Sequence, residues 1–145
     1  MEEIDLCWRL RSRGYRIACV PQSHVYHVGG ATLKKENPQK TYLNFRNNLL
    51  MIYKNAPDCQ LKKIMLFRKV FDNVAALKFL ASGDNAAFKA VRKARRDFKA
   101  MRAGYDKARA KNMKLAVTTR IPEVLKSSIL YKYYLGFKHT YSSLK

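Results

Sequence analysis

EEIDLCWRLRSRGYRIACVP, residues 2–21, is the stretch from which the fold is read, because it changes periodicity halfway along. Ile4, Leu6, Cys7, Trp8 and Leu10 alternate with charges at near-helical intervals up to Arg13. Gly14 then supplies the left-handed residue that commonly closes a helix. Tyr15 to Val20 is rich in aromatic and β-branched positions and predicts a strand, stopped by Pro21; His24 to Val28 predicts a second short extended segment. Gly29 and Gly30 leave the backbone free to turn. A helix followed by short strands is the start of an α/β arrangement.

Outward from that stretch the chain turns helical. Residues 31–39 are polar, contain Pro38 and predict a loop. Tyr42, Phe45, Leu49, Ile52 and Tyr53 recur at helical spacing over Thr41–Tyr53, and Pro57 closes the unit. Between Gln60 and Ala81 an apolar face collects Ile64, Phe67, Val70, Phe71, Val74 and Leu77, with Lys62, Arg68, Lys69 and Asp72 expected on the opposite side. Gly83 can end that helix and Asp84 or Asn85 can cap the next. The next stripe runs Ala87, Ala90, Val91, Ala94, Phe98, Met101, Tyr105 and Ala108, against a face crowded by Lys89, Arg92, Lys93, Arg96, Lys99 and Lys107. Pro122 and Glu123 suit the first turn of a last helix running through Tyr134 and ending near Gly136.

The 145 residues allow at most one full domain, and 48% hydrophobic content is in the globular range. The formal charge of +20 points to a polyanionic neighbour, either nucleic acid or acidic lipid. It is unevenly placed: nine basic and four acidic residues precede Asp58, and 21 basic and six acidic residues follow from it. The preferred division is therefore 1–57 and 58–145. Cys7, Cys19 and Cys59 have no metal-type spacing, which predicts free thiols in a reducing, cytoplasmic compartment; Cys7 and Cys19 are expected to be buried and inert. Lys or Arg punctuates every apolar stretch, so membrane contact is expected to be peripheral. Glu2 and Glu3 directly after Met1 are neither a signal-peptide start nor a capping sequence, and suggest a piece of something longer.

The string Glu2-Glu3-Ile4-Asp5-Leu6-Cys7-Trp8-Arg9-Leu10, then Arg13-Gly14-Tyr15, Val20-Pro21 and His27-Val28-Gly29-Gly30, resembles the closing catalytic block of glycosyltransferase family 2, the inverting GT-A glycosyltransferases. The resemblance implies an α/β fragment, mostly α: the last catalytic helix and short strands of a GT-A domain (1–57), followed by basic amphipathic helices as a C-terminal extension (58–145). It implies a transferase in which a carboxylate deprotonates an acceptor sugar hydroxyl as that oxygen attacks the anomeric carbon of a nucleotide sugar. Glu3 matches the base position, with Glu2 and Asp5 as the neighbouring acids; the family usually has Glu-Asp where this chain has Glu2-Glu3. A helix N-terminus favours the ionised carboxylate such a base requires. Asp5 is expected to orient a neighbour.

By the same resemblance His27 is a ligand for a divalent cation, manganese or magnesium, whose other ligands come from an Asp-x-Asp motif that this chain does not contain. Gly29 and Gly30 belong to a mobile loop over the donor, with Lys34 and Lys35 near its phosphates. Arg46-Asn47-Asn48 resembles a family Arg-Asn pair without an assigned step. The implied role is sugar transfer to a glycan or lipid-linked acceptor in cell-envelope or polysaccharide synthesis. The chain is expected not to turn over alone, because it lacks the nucleotide-binding half. The basic helices are expected to meet the inner face of the cytoplasmic membrane.

Plainer readings accompany each residue. Acids at a helix start often only compensate its dipole, His24 reads as structural, and Trp8 between Leu6 and Leu10 reads as core rather than as a sugar platform. Two other functions compete: a small basic nucleic-acid-binding helical protein, supported by charge with interleaved aromatics over Phe88–Tyr105 but by no recognition motif, and a bare helical scaffold.

Overall fold

Three acids in the first turn and Arg9 and Arg11 in the last complement the dipole of α1, Glu2–Ser12. In the computed structural model of the chain the described residues are 1–26, 37–125, 129–134, 136–137 and 139–144. Helix α1 ends as its sequence predicts: Gly14 adopts φ +85°, and the Tyr15 N–H reaches back to the Leu10 carbonyl at 3.0 Å. A side chain at position 14 would also approach Val117 Cγ2 to 3.2 Å, so this glycine both turns the chain and admits the segment after residue 115.

The expected strands do not form. Among the described residues there is no strand, and the fold is all-helical, which corrects the α/β expectation. Tyr15, Ile17 and Val20 are exposed, and residues 24–26 run without regular structure; 27 and 28 lie outside the described residues. The reason is physical: β-propensity measures fit to a pleated, half-buried surface, and no described segment offers a ladder to Tyr15–Val20.

Helix α2, Pro38–Asn55, starts with Asn37, whose side chain accepts from the Gln39 N–H at 2.8 Å, and with Pro38 in the first turn, where a missing N–H costs nothing. It is followed at Pro57 by α3, Asp58–Ala81. Gly83 at φ +79° and the Asp84 N–H bonded to the Phe79 carbonyl at 2.9 Å close α3. Asp84 then caps α4, Asn85–Met101, by accepting from the Ala87 N–H at 2.9 Å. One 3-10 turn, Arg102–Tyr105, bends the chain into α5, Asp106–Leu115. The last expected helix is shorter than its periodicity suggests: α6 covers Ile129–Tyr134, and a turn occupies Pro122–Glu123.

The core lies where α4 packs along α2. Ala87, Ala90, Val91, Ala94 and Phe98 are all buried, and the small residues among them let the two backbones approach. Tyr42 packs on Ala90 and Ala94 with Leu43 and Phe45 beside them; Leu49 and Leu50 close around Phe98, flanked by Tyr53, Met65, Met101 and Tyr105. Each such large apolar side chain contributes about 1.5–3 kcal/mol on burial. Since α2 also packs on α5, the bundle draws on residues either side of Pro57.

Helix α3 is rotated from its expected orientation: Lys62 and Lys69 are exposed and Ile64 and Phe71 half-buried, in keeping with the pattern, but the rest of it is not kept. Asp72, placed by its periodicity on the outer face, is 1% exposed; Phe67, Val70, Val74 and Leu77 point outward. Arg68 and Arg95 neutralise the Asp72 carboxylate at 2.6 and 2.5 Å, so α3 turns its charged seam to α4. Counting apolar residues cannot foresee that, because the second arginine comes from another helix.

On the other flank of α4, Asp97 accepts from Lys93 at 2.7 Å and from the Tyr42 hydroxyl at 2.9 Å. Those hydrogen bonds, the Lys93 one first, hold its carboxyl at about 2, below the ordinary 3.8. The sign follows directly: a depressed folded-state pKa stabilises the fold above the unfolded value and loses that contribution as pH falls from near 4 through about 2. An NMR titration of the Asp97 carboxyl carbon should place its midpoint near 2, and Lys93→Gln with Tyr42→Phe should return it towards 3.8.

Candidate functional site

The acids of α1 separate into two environments. Asp5, Trp8 and Ser12 share the half-buried side facing the bundle, while Glu3, two residues before Asp5, falls on the other side of the helix. The Glu3 side chain is 86% exposed, and its carboxylate lies 3.4 Å from the Met1 ammonium. Asp5 is clasped instead: Asn55 donates to it at 2.6 Å, Lys54 at 2.9 Å and Arg9 at 3.2 Å. Partial burial alone would raise its pKa, but the hydrogen bonds from Lys54 and Asn55 and the charges of Lys54 and Arg9 outweigh that and hold it below the ordinary value. Asp5 is thus a fixed anion that docks α1 on α2.

A chain of amides continues that clasp. Asn112 on α5 donates to the Asn55 side-chain oxygen at 3.0 Å and accepts from Arg13 at 3.2 Å, and both asparagines are buried. Arg13, Asn112, Asn55 and Asp5 therefore tie both ends of α1 to α5 and α2. The end of α1 is also held by the segment after α5. Val117 and Thr118 donate backbone N–H groups to the Ser12 carbonyl at 2.8 and 3.1 Å, and Arg11 makes a two-pronged pair with Glu123 at 2.6 and 3.2 Å. Asn112→Ala strands the Asn55 oxygen and Arg13, and should cost about 1–3 kcal/mol. Faster amide exchange in α1, with the α2–α4 core unaffected, would report it; unchanged exchange would show that the relay does not hold α1.

Between α1 and α2 opens a cleft of about 240 Å³ with Glu2, Asp5, Asn47 and Lys54 as its polar lining and Leu50 and Tyr105 among its apolar walls. Within that lining Asp5 and Lys54 are already paired with each other at 2.9 Å. Asn47 is held by Arg46, which donates to it at 2.9 and 3.0 Å and to the Tyr42 hydroxyl at 3.2 Å. That gives the Arg46-Asn47 pair a structural task, fixing a residue of the cleft wall.

His27, Gly29, Gly30, Lys34 and Lys35 lie outside the described residues. Among the described residues no group of three His, Cys, Asp or Glu could hold a metal ion. Cys7 and Cys19, expected to be buried, are exposed along with Cys59: α1 turns Asp5 rather than Cys7 to the bundle, and Cys19 lies in the irregular segment that follows α1. Trp8 is half-buried beside Asp5 rather than displayed as a platform, and His24 is exposed in an irregular segment.

Lys54, Asn55 and Asn112 have no prominence in the sequence. The available signal was weak: Asn55 and Asn112 are uncharged polar residues in helices whose exposed positions otherwise favour Lys and Arg. Fold and site together define a strongly basic helical bundle that carries an acid-bearing helix docked through a buried amide relay. Comparison with protein-family models, curated proteins and solved structures finds no match for the chain.

Proposed function

We propose that this chain is the acceptor-side part of an inverting glycosyltransferase of the family 2 type, which moves a sugar from a nucleotide sugar to a glycan or lipid-linked acceptor in cell-envelope or polysaccharide synthesis. The division of labour among the α1 acids carries the reading: Asp5 is engaged by three donors and positions the helix, while Glu3 sits at its N-terminus on an open face. A carboxylate there can take the acceptor hydroxyl proton as its oxygen attacks the anomeric carbon and the nucleotide leaves. The nucleotide-binding half works with this segment in the complete enzyme.

In this reading the enzyme works at the cytoplasmic face of the membrane, with the basic helices against anionic lipid. Among the described residues no helix is long and apolar enough to cross a membrane. The nucleic-acid alternative has the charge in its favour, but no described element pairs that charge with a row of exposed aromatics suited to base stacking. The test is nucleotide-sugar turnover by the complete enzyme with acceptor, comparing wild type with Glu3→Gln; transfer at an undiminished rate would end the assignment.

A further inference from the structure

Helix α3 is apolar on two sides. One side meets the bundle through Leu61, Met65, Asp72 and Ala76. The opposite side presents Leu66, Phe67, Val70, Val74 and Leu77, each between 53 and 63% exposed. These five fall within about 100° of arc and run for about 17 Å along the axis, enough for a continuous stripe rather than scattered surface residues. Such a stripe requires a cover.

The surrounding charge selects the cover. Lys62 and Lys69 border the stripe on one side, Lys78 borders it on the other, and Lys63 stands at its head; all four are exposed. The two carboxylates of α3 are committed elsewhere, Asp58 to Arg109 and Asp72 to Arg68 and Arg95. The outer face is therefore apolar in the middle, cationic at the rim and without a competing anion. A second copy would set lysine rim against lysine rim with no carboxylate to relieve them. Nucleic acid would satisfy the lysines and leave the aliphatic stripe in contact with water. An anionic bilayer satisfies both, with the stripe below the headgroups and the lysine stems extending up to the phosphates.

We infer that α3 is a membrane-insertion helix, lying in the plane of an anionic leaflet with Leu66, Phe67, Val70, Val74 and Leu77 buried in it. The inference rests on the anionic-membrane part of the reading above and is independent of sugar transfer. It moves the anchoring element from the basic face of α4, which has no apolar component, to α3.

The experiment is flotation of the full chain with vesicles of phosphatidylglycerol and phosphatidylethanolamine, against phosphatidylcholine alone. The wild type should float with the anionic vesicles only. The triple variant Val70→Ser, Val74→Ser, Leu77→Ser should lose on the order of a hundredfold in partitioning. The triple variant Lys62→Gln, Lys69→Gln, Lys78→Gln should lose a similar factor. Val70→Trp in a Trp8→Phe background supplies a readout that does not depend on the serine variant folding. Its emission should shift to the blue on binding and be quenched by brominated lipid. Undiminished flotation of the serine variant, or a vesicle-bound Trp at position 70 that still emits as in water, overturns the insertion and leaves α4 electrostatics as the anchor. No flotation of the wild type overturns insertion and membrane partner together. So does a wild-type dimer that the serine variant breaks without either floating.

Discussion

Under the proposed reading, Glu3→Gln lowers sugar transfer by on the order of 10²–10⁴ while donor affinity changes little, because an amide keeps the size of the side chain and cannot accept the acceptor proton. The structure makes this substitution unusually clean. Position 3 is 86% exposed on the side of α1 away from α2, so the change should alter stability by no more than about 0.5 kcal/mol. The companion Asp5→Asn behaves oppositely. It weakens the clasp with Lys54 and Arg9, and its effect should appear first as a loosened α1 and a lower Tm. Measured side by side, kcat for the first variant and Tm for the second separate base from positioning residue. Should Glu2→Gln carry the kinetic loss instead, the base lies one residue earlier and in the cleft itself; if neither glutamine variant slows transfer, the α1 acids are only dipole-compensating groups.

Asp72→Ala should be strongly destabilising, at about 3 kcal/mol, or roughly 10 °C in Tm. Asp72 is 1% exposed between Arg68 and Arg95, and removing it leaves two cations facing each other across the α3–α4 seam. Both arginines keep some access to water, 28% and 18% of their side chains, which sets the cost at the lower end of the range for broken buried pairs. Replacing Asp72 together with the more buried of its two cations, Asp72→Leu with Arg95→Met, should recover part of the loss, since it removes two desolvated charges and leaves only Arg68, whose side chain is 28% exposed, to turn to water. Thermal unfolding of the two variants decides the matter: an additive loss in the double variant would show that packing around Asp72, and not charge, holds the seam.

These expectations trace back to different levels of the molecule. Local chemistry was legible from residues alone. The α1 closure at Gly14, the Gly83-Asp84 stop and cap, and the apolar seam Ala87-Ala90-Val91-Ala94-Phe98 all depend on near neighbours in the chain, and all are where those residues place them, whereas α2 starts at Pro38 inside the expected loop rather than at Thr41. The acids of α1 were likewise visible as a cluster, as was the unequal charge of the two parts.

Partnership across the chain was not legible. Tyr15–Val20 has strand-forming residues, but a strand exists only against another strand, and none of the described segments supplies one. The pattern of α3 gave its apolar residues correctly and its orientation wrongly, since Arg95, 23 residues beyond Asp72, decides which side turns inward. Asp5 and Glu3 look alike in sequence; Asn55, 50 residues further on, and its neighbour Lys54 make one a fixed anion and leave the other on the open side of its helix. Periodicity and capping are set by steric and hydrogen-bonding terms that act over one or two turns. Which charge is buried, which face is left outward and which acid is held are set by contacts between distant segments, and these exist only once the helices have packed.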